Sequence, residues 1–353
     1  MHHRISLIHK LKLLEDTFLP VLERKPYMSH IWITRHCNIH CKFCYIRDYA
    51  SKDPSLIEIK KRLDKIRELG CRLTVIMGGE PTLRKDLPEI PSYCNKKGIF
   101  SYLVTNGTLL TKSLIDKLGK AKLDAISMSL DSLKPGKNSL VEYGKFIFNP
   151  KDKLELLRYM QNKYDIIAFV AICISKENID EVIPIIKLAK KYNLAVTLTA
   201  MANPYSISNI KDKSWKTEKD SVLFRSKSDM IKLGRFMKKL EKMKKEGCKI
   251  IDPYAYFERV ANFLKNRKTN ECKAGKGFFD INTDGRIMLC VMSEPIDIHY
   301  SELDKHNFIE KLKVYRDKQQ KSCLDNCMLA AYFDESYYAH HLLESIKLLN
   351  DVY

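Results

Sequence analysis

The chain has 353 residues, of which 45% are hydrophobic, and it carries a formal net charge of +19 at pH 7. This length suits one large domain with an extension, or two domains, and the apolar content is ample for a packed core. No run of about eighteen or more apolar residues occurs, so no transmembrane helix is predicted. Eleven cysteines are too few for a disulfide scaffold in a chain of this length, and their clustering favours metal ligation in a reducing cytoplasm.

The basic charge is open to two interpretations. It fits an anionic partner, such as nucleic acid, acidic lipid head groups or an acidic peptide. It also fits a lysine-rich genome, because basic residues occur in nearly every segment and spread over solvated faces. No recognisable nucleic-acid-binding motif is present, so no specific nucleic-acid partner is predicted.

Residues 1–27 are predicted to form an amphipathic helix ahead of the first strand. Its apolar positions share one helical face: Leu7, Ile8, Leu11, Leu14, Phe18 and Leu22. Pro20 is expected to kink this helix or to end it. Charged residues interrupt the apolar positions, which argues against a signal peptide and favours a cytoplasmic protein. The helix either covers the bottom of the following domain or makes peripheral contact with a membrane, with His9, Lys10 and Lys12 toward the head groups.

Three cysteines, Cys37, Cys41 and Cys44, follow an apolar run that is typical of a strand. Such a short loop can place three thiolates on one face of an iron–sulfur cube, and one of the four irons then has no protein ligand. An electron-transfer cluster normally takes four cysteines, whereas a site for a substrate or cofactor keeps an open position. The alternative is a structural zinc site with His40 as the fourth ligand, although zinc usually binds a CxxC pair.

Gly78, Gly79 and Glu80 follow the next apolar strand. Glycines have no Cβ and let the backbone approach a ligand closely. The Glu80 carboxylate can accept a hydrogen bond from a cationic amino group. A Gly-Gly pair alone is more often a turn, but its position after the strand beside the cysteine loop favours a ligand site.

The two motifs together resemble those of the radical SAM enzymes. The cysteine loop, with Phe43 as its aromatic residue, matches the signature CxxxCxΦC, and the stretch 77–81 is similar to the GGEP motif. The resemblance covers residues 28–205. It implies a [4Fe–4S] cluster whose open iron binds the amino and carboxylate groups of S-adenosylmethionine (SAM), with Glu80 at the amino group.

In this family, reductive cleavage of SAM gives methionine and a 5′-deoxyadenosyl radical that abstracts a hydrogen atom from the substrate. The resemblance therefore implies an oxidoreductase, or an enzyme that forms C–C or C–X bonds, with a reductant such as ferredoxin or flavodoxin as its partner. The non-enzymatic alternative is an iron–sulfur electron carrier or redox sensor. A carrier has no use for a three-cysteine loop followed by Gly78 to Glu80.

Strand-like and helix-like segments alternate through residues 28–205, which predicts an α/β fold with a parallel sheet covered by helices. The predicted strands are His30–Thr34, Leu73–Met77, Phe100–Thr105, Ala125–Leu130, Ile166–Ile174 and Ala195–Thr199. The predicted helices cover 56–69, 87–97, 111–119, 151–162 and 180–192. An open partial (β/α)6 TIM-like barrel matches the family fold, and in such barrels the chemistry lies at the C-terminal ends of the strands.

Further strand ends provide candidate SAM contacts, in addition to Phe43 and the glycine motif. They are Thr105 and Asn106 after the third strand, Ser129 and Asp131 after the fourth, Asn178 after the fifth and Met201 after the sixth. Each of these residues alone is also compatible with a turn or a helix cap. Residues 206–268 are predicted to be a linker followed by helices.

A second cysteine set lies in residues 269–353, the predicted auxiliary-cluster domain with its C-terminal helix. Its members are Cys272, Cys290, Cys323 and Cys327. Alternating apolar residues flank Asp284-Gly285, which predicts a β-hairpin between the first two cysteines, and a helix over about 306–319 precedes the last two. The arrangement resembles the twitch domain, the short form of the SPASM extension of radical SAM enzymes.

The second cysteine set implies a second, auxiliary [4Fe–4S] cluster that aids electron transfer. Structural zinc held by the same four thiolates is the alternative. The remaining cysteines are predicted to be isolated, packed thiols: Cys71, Cys94, Cys173 and Cys248.

The substrate is the least constrained part of the prediction. The basic charge and the N-terminal amphipathic helix favour an anionic lipid at a membrane surface. A peptide or protein of the ribosomally synthesised, modified class and a small molecule to be oxidised are the alternatives. Only about 27 residues precede the first strand, which counts against a leader-peptide recognition module there.

Overall fold

The computed structural model describes most of the chain. The described residues are 6–41, 44, 48, 50–134, 141–142, 149–201, 224, 226–266, 272–291, 293–323 and 337–352, with the backbone alone at 141–142, 263–266, 320–323 and 351–352. The predicted site residues Phe43 and Cys327, and the side chain of Cys323, lie outside this part.

A single eight-stranded sheet forms the centre of the described structure. Its strands, numbered in chain order, are β1 (Met28–Thr34), β3 (Leu73–Gly78), β4 (Phe100–Thr105), β5 (Ala125–Ser129), β7 (Ile167–Ile174), β8 (Ala195–Ala200), β9 (Phe278–Ile281) and β10 (Ile287–Met288). Two short strands, β2 (His40–Cys41) and β6 (Val141–Glu142), pair separately. The order in the sheet is β10-β9-β1-β3-β4-β5-β7-β8. The six predicted strands are therefore confirmed, parallel and in sequence order.

Helices follow the strands as the periodicity predicts. They are α1 (Leu7–Leu22), α2 (Leu56–Glu68), α3 (Glu89–Lys96), α4 (Lys112–Lys120), α5 (Pro150–Tyr164), α6 (Ile179–Lys191), α7 (Lys227–Lys245), α8 (Tyr254–Asn266), α9 (Phe308–Cys323) and α10 (Leu342–Val352). Side-chain N-caps begin several of them. Ser55 accepts from the Glu58 N–H at the start of α2, and Thr111 accepts from the Leu114 N–H at the start of α4.

The two faces of the sheet differ in burial. Along β7, Ala168, Val170 and Ile172 are fully buried on one face, while Phe169 and Ala171 are half-buried on the other. Strands β4 and β8 show the same alternation. Because successive side chains of a strand point to opposite faces, one face packs under the helices and the other borders an accessible interior that opens at the strand ends.

The predicted hairpin is confirmed, and it extends the barrel sheet. β9 pairs in parallel with β1, with Met28 opposite Phe278, and β10 turns back antiparallel to β9. Buried Asp280 on β9 lies 3.2 Å from the His30 ring through Oδ1 and accepts from the Trp32 indole at 3.1 Å through Oδ2. The hairpin that carries the second cysteine set is thus joined to the first barrel strand by backbone and side-chain bonds.

Helix α1 lies at the N-terminal edge of the sheet. Lys12 Nζ contacts Asp124 Oδ1 at 2.6 Å just before β5, and the Ser6 N–H donates to Asp165 Oδ1 at 3.0 Å just before β7. The helix continues to Leu22 past Pro20. Of its two predicted roles, the structure supports covering the bottom of the barrel. In the part of the chain that is described, no helix is long and apolar enough to cross a bilayer.

Candidate active site

The cysteine loop begins where β1 ends, at the C-terminal edge of the sheet. Cys37, Cys41 and Cys44 are free, half-buried thiols. Burial raises the pKa of the Cys37 thiol to about 11, and the charges of Glu80 and Cys44 add to the rise. Burial also raises the pKa of the Cys41 thiol well above its ordinary value, and the charges of Cys44, Asp131 and Cys37 add to it. The three sulfurs therefore lie near enough to interact electrostatically.

The spacing of these thiols fits a cluster better than a single ion. Among the described side chains, no three from His, Cys, Asp or Glu converge on one point that a metal ion could occupy. A zinc site needs its sulfurs about 2.3 Å from the same ion, so the predicted zinc alternative fits poorly. In a four-iron cube each cysteine binds a different iron, and three neighbouring thiols that do not converge suit that arrangement.

Gly78 and Gly79 pack directly against the cysteine loop. The Gly79 N–H donates to the Thr34 carbonyl and the Glu80 N–H to the His36 carbonyl, both at 2.8 Å. A Cβ on Gly78 would lie 2.1 Å from the Thr34 oxygen, and one on Gly79 would lie 2.1 Å from the His36 oxygen. This corrects the expected role of the glycines, because the space that a side chain would fill is taken by the protein's own backbone.

Glu80 is fully buried behind this contact. Its Oε1 accepts from Thr105 Oγ1 at 2.7 Å, from the Thr82 N–H at 3.0 Å and from the Thr82 hydroxyl, and its Oε2 accepts from the Asn106 N–H at 2.7 Å. Burial raises the pKa of Glu80, and these hydrogen bonds lower it. Oε2 has one donor among the described groups, so it keeps a lone pair for the predicted amino group of SAM.

Asn106 joins the end of β4 to the cysteine loop. Its Nδ2 donates to Asn38 Oδ1 at 2.9 Å and to Cys37 Sγ at 3.8 Å. Its Oδ1 accepts from the Thr108 N–H at 2.9 Å and from the Thr108 hydroxyl at 2.7 Å. The predicted contact of Asn106 with SAM stays a prediction, while the bonded partners of its side chain belong to the protein. Asn38, which completes this network, was not among the predicted site residues.

Asp131 and Asn178 brace the neighbouring strand ends. Asp131 Oδ1 accepts from the Cys173 N–H at 2.8 Å, and burial raises the pKa of Asp131 to about 7. Asn178 Nδ2 donates to the carbonyls of Asp131 at 3.0 Å and Cys173 at 2.8 Å, and its Oδ1 accepts from the Ser175 N–H at 2.8 Å. A side-chain contact of Asn178 with SAM would require one of these bonds to break.

Cys173 adjoins the cysteine loop, so its prediction as an isolated thiol is wrong. Burial raises its pKa well above the ordinary value, and the charges of Asp131 and Cys44 add to the rise. The pKa of Cys41 responds in turn to Cys173. The residue ends β7, far from the loop in sequence, so spacing along the chain carried no signal for this neighbour.

Ser129 and Met201 complete the predicted set at this edge of the sheet. Ser129 ends β5 opposite Ala171 and is half-buried. Met201 follows β8, and its N–H donates to the Ile174 carbonyl at 2.8 Å. The described candidates from all six barrel strands therefore lie at the predicted C-terminal edge, and their contacts with a cofactor stay predictions.

The second cysteine set lies at the two ends of the hairpin. Cys272 and Cys290 are free and half-buried. Gln319 Nε2 on α9 donates to Cys290 Sγ at 3.5 Å. The helix is longer than predicted and reaches Cys323, one turn beyond Gln319 on the same helical face. It therefore leads the chain toward Cys290 at the position of the third cysteine, and Gln319 is a contact that sequence reasoning missed.

Comparisons with known proteins match this architecture. Residues 31–201 match the family model described as the Radical SAM superfamily. The chain is 35% identical over 116 residues to Fe-coproporphyrin III synthase of Methanosarcina barkeri, covering 32% of this chain and 29% of the relative. It is 23% identical over 269 residues to PqqA peptide cyclase of Bradyrhizobium diazoefficiens, covering 75% of this chain and 66% of the relative.

A solved structure of Streptococcus suis SuiB bound to precursor peptide SuiA shares the fold. It has a TM-score of 0.61 and 17% sequence identity, covering 91% of this chain and 74% of that one. The chain thus spans between about a third and two thirds of the length of the two curated relatives. The matched residues begin within β1 and end just after β8, and they include the cysteine loop and Gly78 to Glu80. Residues 31–201 therefore form a radical SAM domain, the domain of an enzyme superfamily.

Proposed function

We propose that this protein is a radical SAM enzyme that binds a [4Fe–4S] cluster through Cys37, Cys41 and Cys44, and SAM at the adjoining strand ends. When bound, the cluster supplies the electron that cleaves SAM to methionine and the 5′-deoxyadenosyl radical, which abstracts a hydrogen atom from the substrate. The observation that carries the proposal is the three-thiol loop packed against Gly78 and Glu80 at the C-terminal edge of a parallel sheet.

The residues around the loop prepare the site for the cofactor. Backbone bonds from Gly79 and Glu80 fix the loop against β3. The remaining lone pair of Glu80 Oε2 accepts a hydrogen bond from the SAM amino group, and burial strengthens such a charge-assisted bond. The half-buried face of β4, β7 and β8 gives the substrate a wall that limits the access of bulk water to the radical. The reductant is a cytoplasmic protein such as ferredoxin or flavodoxin.

Cleavage of SAM tests this proposal. Anaerobically reconstituted protein reduced with dithionite should form 5′-deoxyadenosine, and Cys41→Ala should abolish it. Cys248→Ala, a half-buried thiol outside both cysteine sets, is the matched control and should retain the reaction. A parent protein that binds iron but cleaves no SAM with any reductant would instead indicate an iron–sulfur electron carrier or redox sensor.

We further propose an auxiliary [4Fe–4S] cluster bound by Cys272, Cys290, Cys323 and Cys327. The hairpin supports this by holding the first two thiols at its ends, and α9 supports it by leading from Gln319 beside Cys290 to the third cysteine. Its role is to pass electrons to or from the substrate during the reaction.

Iron content tests the auxiliary cluster. The reconstituted parent should contain about eight irons if each set holds one four-iron cube. A Cys37→Ala, Cys41→Ala, Cys44→Ala triple variant should keep about half of them. Only four irons in the parent protein would contradict the second cluster.

For the substrate we propose a peptide or protein segment. The similarity to PqqA peptide cyclase extends over three quarters of this chain, and the net charge of +19 suits an acidic peptide. A small molecule is the second candidate, because the relative with 35% identity is named for Fe-coproporphyrin III. Adding an Asp- and Glu-rich peptide library or Fe-coproporphyrin III should raise 5′-deoxyadenosine formation above background for the correct class only.

An anionic lipid ranks below both classes. The feature that favoured it was α1, which packs beside Asp124 and Asp165 at the edge of the sheet opposite the cysteine loop. A lipid held at α1 would therefore lie across the barrel from the proposed radical. Peripheral membrane contact through the exposed Leu7, Ile8 and Leu11 of α1 would not by itself deliver a substrate.

A further inference from the structure

We infer that Asn106 is a positioning residue for the cysteine loop and that its amide raises the reduction potential of the cluster held there. The inference rests on the proposed function, because it concerns the same cluster. Sequence reasoning places Asn106 beside SAM. Its side chain instead donates toward Cys37 Sγ at 3.8 Å and to Asn38 Oδ1 at 2.9 Å, both within the cysteine loop.

The hydrogen-bond network fixes which end of the amide faces the sulfur. The Thr108 backbone N–H can only donate, so the atom it meets at 2.9 Å must be the Asn106 oxygen. The NH₂ group is then left to face Cys37 and Asn38. Asn38 is oriented in the same way, because its own Nδ2 donates to Thr108 Oγ1 at 2.7 Å and turns its oxygen toward Asn106.

The backbone of Asn106 ties this amide to the rest of the site. Its N–H donates to Glu80 Oε2 at 2.7 Å, and Lys153 Nζ holds the following turn through the carbonyls of Thr108 at 3.1 Å and Leu110 at 3.0 Å. The amide therefore approaches Cys37 from a braced turn rather than from a free loop. A donor held in this way needs little ordering when the thiolate binds iron.

A donor beside a cysteine sulfur affects the cluster in a definite direction. Hydrogen bonds to cluster sulfurs are among the factors that set the reduction potential. The reduced cluster carries one more negative charge, so an N–H donor stabilises it more than the oxidised cluster. Removing the donor should lower the midpoint potential and leave the other ligands unchanged.

The test is an EPR-monitored redox titration of the full reconstituted chain without SAM. The relevant cluster is the one whose spectrum changes when SAM is added afterwards. Asn106→Ala should lower its midpoint potential so that, at a fixed ambient potential, the ratio of reduced to oxidised cluster falls about tenfold, or about 59 mV for a one-electron couple. Asn106→Asp, which keeps the shape and the acceptor but replaces the donor with a charge, should lower it further.

Asn178→Ala is the matched control, since this asparagine also braces a strand end but donates to backbone carbonyls and not to a sulfur. Its midpoint potential should equal that of the parent. The inference is overturned if Asn106→Ala weakens SAM binding while the potential without SAM is unchanged, because Asn106 then acts on SAM directly. A parent chain whose clusters never respond to SAM would overturn the proposed function itself.

Discussion

At the scale of single residues, Glu80 carries the most specific prediction. A glutamine has the same shape but would turn an N–H either toward the Asn106 N–H or toward the Thr82 N–H, which now face the two carboxylate oxygens. Each arrangement leaves a buried donor unsatisfied, at a cost of about 1–3 kcal/mol. The charge that the SAM amino group would meet is also lost.

We therefore expect Glu80→Gln to weaken SAM binding by about tenfold or more, as loss of a charge-assisted hydrogen bond predicts, and to lower the unfolding midpoint. Isothermal titration of the reconstituted protein measures the first effect and chemical denaturation the second. The exposed Glu89→Gln, whose partner is Lys60 at 3.6 Å, should change neither. Unchanged SAM affinity in Glu80→Gln would exclude Glu80 from the cofactor site.

Asp16 on α1 gives a prediction about pH. The side chain is buried, its Oδ2 has no hydrogen-bond partner among the described groups, and burial raises its pKa from 3.8 to about 6, against the charges of Lys12 and Arg72. The folded state therefore binds this proton more tightly than the unfolded state. Stability should be lost as the pH rises toward 6, because the carboxylate must then ionise within the protein.

Asp16→Asn should not show this loss. Between pH 5 and pH 8 the free energy of unfolding of the parent should fall by about 1 kcal/mol relative to the variant, measured by urea denaturation at each pH. The exposed Asp152→Asn should follow the parent at both pH values. A parent and an Asp16→Asn variant with parallel pH profiles would place this pKa near its ordinary value.

At the scale of elements, the contact between β3 and the cysteine loop makes the glycines irreplaceable. Gly79→Ala would place a Cβ against the His36 carbonyl, and neither backbone can move without breaking the bonds at Thr34 and His36. Iron content per chain should fall by about the four irons of one cube. Gly98→Ala, where a Cβ would meet nothing within 4 Å, should retain full iron. Equal iron content in the two variants would show that the loop does not depend on this contact.

Local patterns predicted most elements because parallel strands with helical cover read as apolar runs between amphipathic segments. The six barrel strands, the helices between them and the hairpin at Asp284 follow from such patterns. The neighbours of the site did not follow. The contacts of Asn106 with Cys37 and of Gln319 with Cys290 join segments far apart in sequence, and only the sheet order and helix packing bring them together.

At the scale of the whole molecule, the two edges of the sheet have separate roles. The C-terminal edge holds the cysteine loop and the candidate SAM contacts, while α1 covers the N-terminal edge and bonds to the Leu349 carbonyl of α10 through Lys10 Nζ at 2.6 Å. The pairing of β9 with β1 joins the second cysteine set to the strand that leads into the first. Sequence alone could not place the hairpin there, because apolar strands such as β1 and β9 do not specify their partners.

The most direct test of this account is the EPR spectrum of the reduced protein with and without SAM. A Cys272→Ala, Cys290→Ala variant should retain only the cluster at Cys37, Cys41 and Cys44. Its spectrum should change on addition of SAM, because a cluster with three cysteine ligands has an iron open to the cofactor. A spectrum that is identical with and without SAM would contradict the central claim that this loop builds a SAM-binding cluster.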